Sequence, residues 1–152
     1  MSSFLYLKMA ENRISFEEYG LRLAEVAAQR SEDPRTKVGC VLFRHDGTIA
    51  SLGYNGAPSG VEMTCWDNRK EKILRVIHAE INSLRHVKPG ECYMAAVTYS
   101  PCNDCLKSLA AYGIKKIVYR NEYRPNIPYP MKTIAKEFGI ELQQITCPCE
   151  AS

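Results

Sequence analysis

Two short segments of this 152-residue chain carry side chains that could bind a metal ion and move a proton. They are His78-Ala79-Glu80 and Pro101-Cys102-Asn103-Asp104-Cys105. A structural zinc site closes its tetrahedron with four protein ligands, whereas a catalytic site has three and leaves the last position for water. The pattern therefore predicts a hydrolytic zinc site formed by His78, Cys102 and Cys105. The carboxylate of Glu80 is then left over as a proton carrier.

The spacing of these residues is compatible with one site. If Cys102 and Cys105 open a helix, both sulfurs face the same side of its first turn, where unpaired amides favour thiolate over thiol. His78 and Glu80 are two residues apart and would diverge on a helix, unless they lie at its very start. There the imidazole can hold zinc while the carboxylate reaches past it.

The combination is more informative than its parts. A lone C-x-x-C could equally be a redox pair or half of a structural zinc site, and a lone His more often packs or hydrogen-bonds. Found together and in order, after Pro101, the residues favour a zinc hydrolase. A zinc-stabilised binding module without catalysis is the alternative from another class, but such a module needs no carboxylate at Glu80.

The length of the chain predicts one domain over residues 1–152, with a short flexible tail from about residue 146. The apolar run at residues 4–7 is too short for a signal sequence or a membrane span. Seven cysteines are an odd number, which argues against a disulfide framework. We therefore expect a cytoplasmic protein with reduced thiols and no membrane partner.

The charge of the chain argues against a nucleic-acid partner. Its net charge is +3, and its Lys and Arg residues are dispersed, which is a weak electrostatic footprint for nucleic acid. The one basic cluster, Arg69-Lys70-Glu71-Lys72, contains its own acid, and we interpret it as a solvated helix face and not a phosphate track. A small anionic substrate fits this charge balance better than a polymer.

Hydrophobic periodicity and turn signals predict the elements that position the site. Ser15 and Glu18 form a capping-box pattern before the first apolar helical stripe, and His45-Asp46-Gly47 marks a hairpin. The order α-β-β-α-β-α-β-α-β predicts an α/β fold with a five-stranded mixed sheet and helices on both faces. The predicted elements are helix 15–30, strands 38–43 and 48–52, helix 77–86, strand 92–99, helix 102–112, strand 114–119, helix 131–138 and strand 140–145.

The motif resembles that of the zinc deaminases, H-x-E followed by P-C-x-x-C, in which the Glu is acid and base and not a ligand. From about residue 31 to 145 the chain resembles the deoxycytidylate (dCMP) deaminase family. The likeness lies in S-E-D-P-R-T-K-V-G at 31–39, G-Y-N-G at 53–56, H-A-E-I-N at 78–82, S-P-C-N-D-C at 100–105 and Y-R-P at 123–125. The resemblance implies the three-layer cytidine-deaminase-like fold, with two helix N-termini meeting at the zinc.

The resemblance also implies an activity and substrate-binding residues. The activity is zinc-dependent hydrolysis of dCMP to dUMP and ammonia, which feeds thymidylate synthesis. Asn55 would contact the sugar or base, although Asn-Gly is also a common turn. Arg35 and Arg124 are candidates for the 5′-phosphate, because a guanidinium matches phosphate in a bidentate fork, but each could be solvated surface. Tyr123 could pack over the base or sugar, or only within its loop.

Several alternatives remain open in the sequence. The substrate could be another cytosine nucleotide, such as a 5-substituted dCMP or dCTP, or a base flipped out of a tRNA or a single-stranded polynucleotide. Family members are usually homo-oligomers, often hexamers, and we expect the same here. Phage and animal members are similar in being regulated by dCTP and dTTP, but parts of their effector site are not matched, since residues 86–90 intervene. A Mg²⁺ ion would accompany such a nucleotide effector.

A second metal site is not expected. Some phage members hold a structural zinc in a long insertion before H-A-E, whereas this chain passes quickly from Gly60 to His78, with Cys65-Trp66-Asp67 as the only suggestive group. Cys147 and Cys149 near the C-terminus are more typical of an unstructured tail than of a metal site. We therefore expect one zinc ion per chain.

Overall fold

The computed structural model describes residues 12–125 and 127–147. The predictions for residues 4–7 and for Cys149 lie outside these ranges. In the described part of the chain, no helix is both long and apolar enough to cross a bilayer. The elements in chain order are α1 (Phe16–Ala28), β1 (Gly39–Arg44), β2 (Ile49–Tyr54), α2 (Arg69–Ile73), α3 (Ala79–Leu84), β3 (Cys92–Tyr99), α4 (Asn103–Ala111), β4 (Lys116–Asn121), α5 (Met131–Glu137) and β5 (Glu141–Gln144).

The five strands form one mixed sheet in the order β2-β1-β3-β4-β5. Strand β1 pairs antiparallel with both β2 and β3. Strands β3, β4 and β5 run parallel to one another. The sheet therefore places the carboxyl ends of β3 and β4 side by side, at the edge where ligands bind in open α/β sheets.

Two hydrophobic clusters lie on opposite faces of this sheet. On one face, Leu21 and Ala24 of α1 pack against Val41 and Phe43 of β1. Cys40 and Leu42 of β1 alternate with Val41 and Phe43 along the strand. They therefore point to the opposite face of the sheet, where they contact the helices that follow β2. The second cluster takes Ala79 and Leu84 from α3, Leu106 and Leu109 from α4, and Ala135 from α5. The molecule is therefore a three-layer α/β fold, as predicted from the sequence and its family resemblance.

Glycines allow two helices to lie directly on the sheet. A Cβ atom on Gly39 would lie 1.8 Å from the carbonyl oxygen of Ala24 in α1. A Cβ atom on Gly53 in β2 would lie 2.7 Å from the backbone nitrogen of Ser83 and 2.8 Å from the carbonyl oxygen of Ala79. Both contacts are with backbone, so a side chain would force α1 or α3 away from the sheet.

Only half of the capping box predicted at Ser15 forms. The Ser15 hydroxyl accepts a hydrogen bond from the backbone nitrogen of Glu18 at 3.0 Å. The Glu18 carboxylate instead accepts hydrogen bonds from Arg120 in β4 and from Arg22. Because Arg120 is a buried cation, its pairing with Glu18 takes precedence over the box.

The main difference from the predicted elements is α2, which the predicted order omits. It is one short helix, capped by Asn68, whose side chain accepts from the backbone nitrogen of Glu71 at 3.2 Å. The interpretation of 69–72 as a solvated helix face is correct for Lys70 but wrong for Lys72, whose side chain is 17% exposed and pairs with Asp33. Elsewhere β3 has its predicted bounds, whereas α3 is shorter than the predicted helix 77–86.

Candidate active site

The three predicted zinc ligands meet where two helices begin. His78 is the N-cap of α3 and Cys102 is the N-cap of α4, both with extended backbone and no side-chain capping bond. Their side chains are therefore left for other partners. Cys105 lies in the first turn of α4, three residues from Cys102, as the spacing predicts. Nδ1 of His78 lies 3.3 Å from Sγ of Cys105 and 3.5 Å from Sγ of Cys102.

This arrangement fits zinc. The three donor atoms lie within 4.8 Å of one another, and no other cluster of three such ligands occurs in ranges 12–125 and 127–147. Zinc bonds to nitrogen and sulfur of ordinary length, at a tetrahedral angle, place the two ligand atoms about 3.6 Å apart. The distances from His78 to both sulfurs are close to this value. One imidazole and two thiols also leave a fourth position, as a catalytic site requires.

The three side chains share protons that a divalent cation would displace. The hydrogen bond from Cys105, with that from His78, lowers the pKa of Cys102 to about 4. The same Cys102 contact raises the pKa of His78 and, together with burial, that of Cys105. Cys102 is thus already disposed to be a thiolate, the form that binds metal. Metal binding here would release protons.

Glu80 is buried in the first turn of α3, with 4% of its surface exposed, and it lines the same cavity as His78 and Cys102. Burial is the main cause that raises the pKa of its carboxyl group. A carboxyl group with a raised pKa can hold a proton closer to neutral pH and can both accept and return it. The predicted proton carrier therefore lies beside the predicted ligands without being one of them.

The cavity above these residues has a volume of about 320 Å³, which is in the range of small-molecule sites. The segment before β1 lines it through Arg35 and Val38, and the segment around α2 lines it through Trp66 and Lys72. Its volume suits one small-molecule ligand, and His78 and Glu80 lie in its wall.

The parallel pairing of β3 and β4 brings Tyr123 to this cavity. Beyond the strand ends, the backbone nitrogen of Ser100 donates to the carbonyl oxygen of Asn121 at 2.9 Å, and that of Tyr123 donates to Oγ of Ser100 at 2.8 Å. The hydroxyl of Tyr129 donates to the carbonyl oxygen of Pro101, directly before Cys102. The loop after β4 therefore contacts the backbone that carries a predicted ligand.

Asn55 also lines the cavity, but its side-chain amide is bonded to backbone. Its Oδ1 accepts from the backbone nitrogen of Val38 at 2.9 Å, and its Nδ2 donates to the carbonyl oxygen of Thr36 at 2.8 Å. The structure thus places Asn55 near the site and uses it to hold the segment before β1. One N–H of the amide is left for a ligand.

The two predicted phosphate-binding arginines lie in different places. Arg35 is exposed and lines the cavity that contains His78 and Glu80. Arg124 lines a neighbouring cavity of about 490 Å³, which shares Ser100 and Tyr123 with the first. Of the two arginines, the structure therefore brings only Arg35 to the cavity that contains His78 and Glu80.

Sequence reasoning missed a part-buried ion pair in the cavity wall. Lys72 Nζ lies 2.8 Å from Oδ2 of Asp33, whose side chain is 2% exposed. Burial raises the pKa of Asp33, but hydrogen bonds from Lys72 and from the amides of Arg35 and Thr36 outweigh burial and lower it. Asp33 and Lys72 are 39 residues apart, so no local pattern connects them. Trp66, also missed, lies in a segment without periodicity.

Comparison with known proteins agrees with this geometry. The family model of the cytidine and deoxycytidylate deaminase zinc-binding region matches residues 14–121. A probable deoxycytidylate deaminase of Caenorhabditis elegans is 38% identical over 140 residues, covering 86% of this chain and 70% of that protein. The deoxycytidylate deaminase of Mycobacterium phage D29 is 35% identical over 127 residues, covering 73% of this chain and 98% of its own length.

The fold is also found in solved structures. The dCMP deaminase of cyanophage S-TIM5, solved in complex with dCMP and dUMP, superposes with a TM-score of 0.71 at 30% identity. The match covers 88% of this chain and all of the cyanophage chain. These comparisons confirm the resemblance that the motifs predict. With its His-Cys-Cys cluster and adjacent buried carboxylate, the chain belongs to the zinc-dependent cytidine and deoxycytidylate deaminase family.

Proposed function

We propose that the protein hydrolyses dCMP to dUMP and ammonia, and so supplies a precursor for thymidylate synthesis. The observation that carries this proposal is that His78, Cys102 and Cys105 form one cluster of zinc ligands, and that His78, Cys102 and the buried carboxylate of Glu80 line a cavity of about 320 Å³. The identity with deoxycytidylate deaminases and the complex of the cyanophage relative with dCMP and dUMP support the choice of substrate.

The residues of the chain divide the reaction between them. His78, Cys102 and Cys105 would hold one zinc ion, which when bound lowers the pKa of water enough to supply hydroxide near neutral pH. Glu80 takes a proton from the attacking water and delivers it to the ring nitrogen beside C4. It then takes the proton of the hydroxyl group now on C4 and passes it to the amine, so that the C4–N bond breaks, ammonia leaves and the C4 carbonyl of dUMP forms. Burial of Glu80 suits both steps, because a raised pKa makes the carboxyl group an effective acid as well as a base.

The cavity walls supply the proposed substrate contacts. Asn55 offers its remaining N–H to the sugar or base, and Tyr123 lines the cavity at the ends of β3 and β4. Arg35 is the better placed of the two arginines for the 5′-phosphate, because Arg124 lines the neighbouring cavity. Arg124 would reach the nucleotide only from that side.

The state of the protein in the cell is part of the same proposal. We propose a cytoplasmic homo-oligomer, with a hexamer as the favoured number, and one zinc ion per chain. Mg²⁺ would accompany a nucleotide effector if one binds. Exposed apolar side chains support self-association, with Phe16 58% exposed and Leu74 76% exposed.

Ammonia release by the zinc-loaded protein tests the substrate. The protein is incubated separately with dCMP, 5-methyl-dCMP, dCTP, deoxycytidine and a single-stranded oligonucleotide. We expect the highest kcat/KM with dCMP. Preference for 5-methyl-dCMP or dCTP would reassign the substrate within the cytosine nucleotides, and activity on the oligonucleotide alone would overturn the proposal.

A Glu80→Gln variant tests the mechanism. It keeps the size of the side chain but removes its ability to carry a proton, so kcat should fall by at least about a hundredfold while zinc content stays unchanged. Glu137→Gln, on the exposed end of α5, is the matched control and should retain activity. Retained turnover in Glu80→Gln would show that another group carries the proton.

A further inference from the structure

The Asp33–Lys72 ion pair lies in the wall of the catalytic cavity, and no step of the proposed chemistry uses it. We propose that Lys72 determines specificity by binding the 5′-phosphate of the nucleotide, and that Asp33 is the positioning residue that fixes Lys72. This inference rests on the proposed function in taking a nucleotide as the ligand. It adds a cation that the sequence pattern assigned to solvent.

The surroundings of Asp33 hold it in one orientation. Its Oδ1 accepts hydrogen bonds from the backbone nitrogens of Arg35 at 2.9 Å and Thr36 at 3.1 Å. Its Oδ2 accepts from Lys72 Nζ at 2.8 Å. Both oxygens are therefore committed, and the carboxylate joins the segment before β1 to α2. Lys72 has little freedom to leave the wall.

Stability alone does not explain this pair. Moving two charges out of water costs several kcal/mol per ion, and apolar residues of similar volume are often at least as stabilising. Helix α2 has no buried residue, so the ion pair does not serve to hold apolar side chains of this helix in a hydrophobic core. A part-buried pair in the wall of a cavity, and not in a core, points to a ligand.

Lys72 keeps donors for that ligand. Its ammonium group has three N–H donors, and Asp33 accepts one of them. Within the described residues, Asp33 is the partner that the structure shows for the Lys72 side chain. Lys72 lines the cavity together with His78 and Glu80. The remaining N–H groups are thus available within the volume that a nucleotide would fill.

The charged groups of the wall limit the charge of the ligand. Arg35, Arg69 and Lys72 line the cavity as cations, and Asp33, Asp67 and Glu80 line it as carboxylates. The two sets are equal in number, and a phosphomonoester carries about −1.5 to −2 at neutral pH. The wall therefore offers cations to one phosphate group but no excess of positive charge for the additional charges of a triphosphate.

Binding of the product tests this assignment without relying on turnover. Calorimetry measures the Kd of zinc-loaded protein for dUMP and for deoxyuridine, which differ only in the phosphate. We expect the wild type to bind dUMP at least about tenfold more tightly, as a charged hydrogen bond to phosphate allows. The ratio of the Kd for deoxyuridine to the Kd for dUMP measures this preference. Lys72→Met should lower the ratio to near one, while Lys70→Met, on the exposed side of α2, should leave it unchanged.

Two further variants separate recognition from folding. Lys72→Arg retains a cation and should restore part of the ratio. Asp33→Asn retains an acceptor for the amides of Arg35 and Thr36 but removes the charge that holds Lys72, so it should lower the ratio with zinc content preserved. In steady-state kinetics with dCMP, Lys72→Met should raise KM, while kcat should stay within about threefold of wild type.

Three outcomes would overturn the inference. The first is a wild type that binds dUMP and deoxyuridine equally, and the second is a Lys72→Met variant that keeps the wild-type ratio. The third is an equal loss of affinity for both ligands, which would mean that Lys72 only supports α2. Failure of the proposed function is a separate result, because it is seen as absence of dCMP turnover in the wild type.

Discussion

At the scale of single residues, Asn55 shows how a cavity residue can be needed for structure as well as for a ligand. Asn55→Ala leaves the backbone nitrogen of Val38 and the carbonyl of Thr36 without their partner. We expect this to lower the free energy of unfolding by about 1–3 kcal/mol, measured by urea denaturation. Asn82→Ala, which removes one exposed bond to Tyr54, is the control and should cost less.

The same variant bears on the proposed substrate contact of Asn55. If the remaining N–H binds the nucleotide, KM for dCMP should rise at a temperature where Asn55→Ala is fully folded. An unchanged KM beside reduced stability would make the residue purely structural. If Asn55→Ala is as stable as the wild type, the hydrogen bonds of Asn55 to Thr36 and Val38 do not stabilise the fold.

Residues whose chemistry depends on local spacing were found in the sequence. His78 with Glu80, and Cys102 with Cys105, lie within three positions of each other, and a helix start converts that spacing into a shared site. Lys72 could not be assigned in this way, because its partner Asp33 comes from a segment that the fold brings beside α2. A lysine in a charged cluster carries no local sign that it is turned inward.

At the scale of elements, the close packing of α3 on β2 positions Glu80, the proposed proton carrier. Gly53→Ala would place a Cβ atom 2.7 Å from the backbone nitrogen of Ser83, so α3 must shift. We expect a loss of about 1–3 kcal/mol of stability. Since His78 caps α3, zinc should also be removed more readily by a chelator.

The control for this element is in the same stretch of chain. A Cβ atom on Gly56 would have no heavy atom within 4 Å, and its φ is not positive. Gly56→Ala should therefore keep wild-type stability and zinc retention. Equal behaviour of the Gly53 and Gly56 variants would contradict a close contact between α3 and β2.

The buried pairing of α1 with β4 makes stability depend on pH. The hydrogen bond from Arg120 is the main cause that lowers the pKa of Glu18. Because the folded-state pKa is the lower one, the stabilisation is present above the unfolded value of about 4.3 and is lost as pH falls through the folded value. At pH 7, Glu18→Gln should cost about 2 kcal/mol in urea denaturation.

The pH series has a defined outcome. The difference between wild type and Glu18→Gln should shrink as pH is lowered below about 4, because the wild-type carboxylate then becomes protonated. Glu32→Gln, at an exposed position after α1, should follow the wild type throughout. A difference that stays constant with pH would mean that Glu18 does not contribute through its charge.

Most elements could be predicted because each has a period or a cap of its own. Helix α1 has an N-cap at Ser15 and an apolar stripe, and β3 is a continuous apolar run between turn signals. Helix α2 has five residues and none of them is buried, so it carries no hydrophobic period to detect. Its position is decided by contacts with the rest of the fold.

At the scale of the whole molecule, exposed apolar side chains predict association of several copies. Val26 and Ile73 are 61% and 63% exposed, on α1 and α2. We expect sedimentation analysis at micromolar concentration to give a homo-oligomer, with six copies favoured. Leu74, beside α2, is 76% exposed. We expect Leu74→Glu to weaken the association of the subunits, because it would place a charge in an apolar interface. A monomer in the wild type would contradict the proposed assembly.

The sequence by itself determined the class of chemistry of this protein, because the zinc ligands and the proposed proton carrier lie in two short motifs whose geometry is set by helix starts. Family resemblance extended this to the α/β fold and to a cytosine nucleotide. Only the tertiary structure decided which cations line the cavity beside the zinc ligands. It placed Arg35 in the wall of this cavity and Arg124 in the wall of the neighbouring one, and it turned Lys72 inward onto Asp33. Such pairings depend on strand order and loop packing, which join residues distant in the chain.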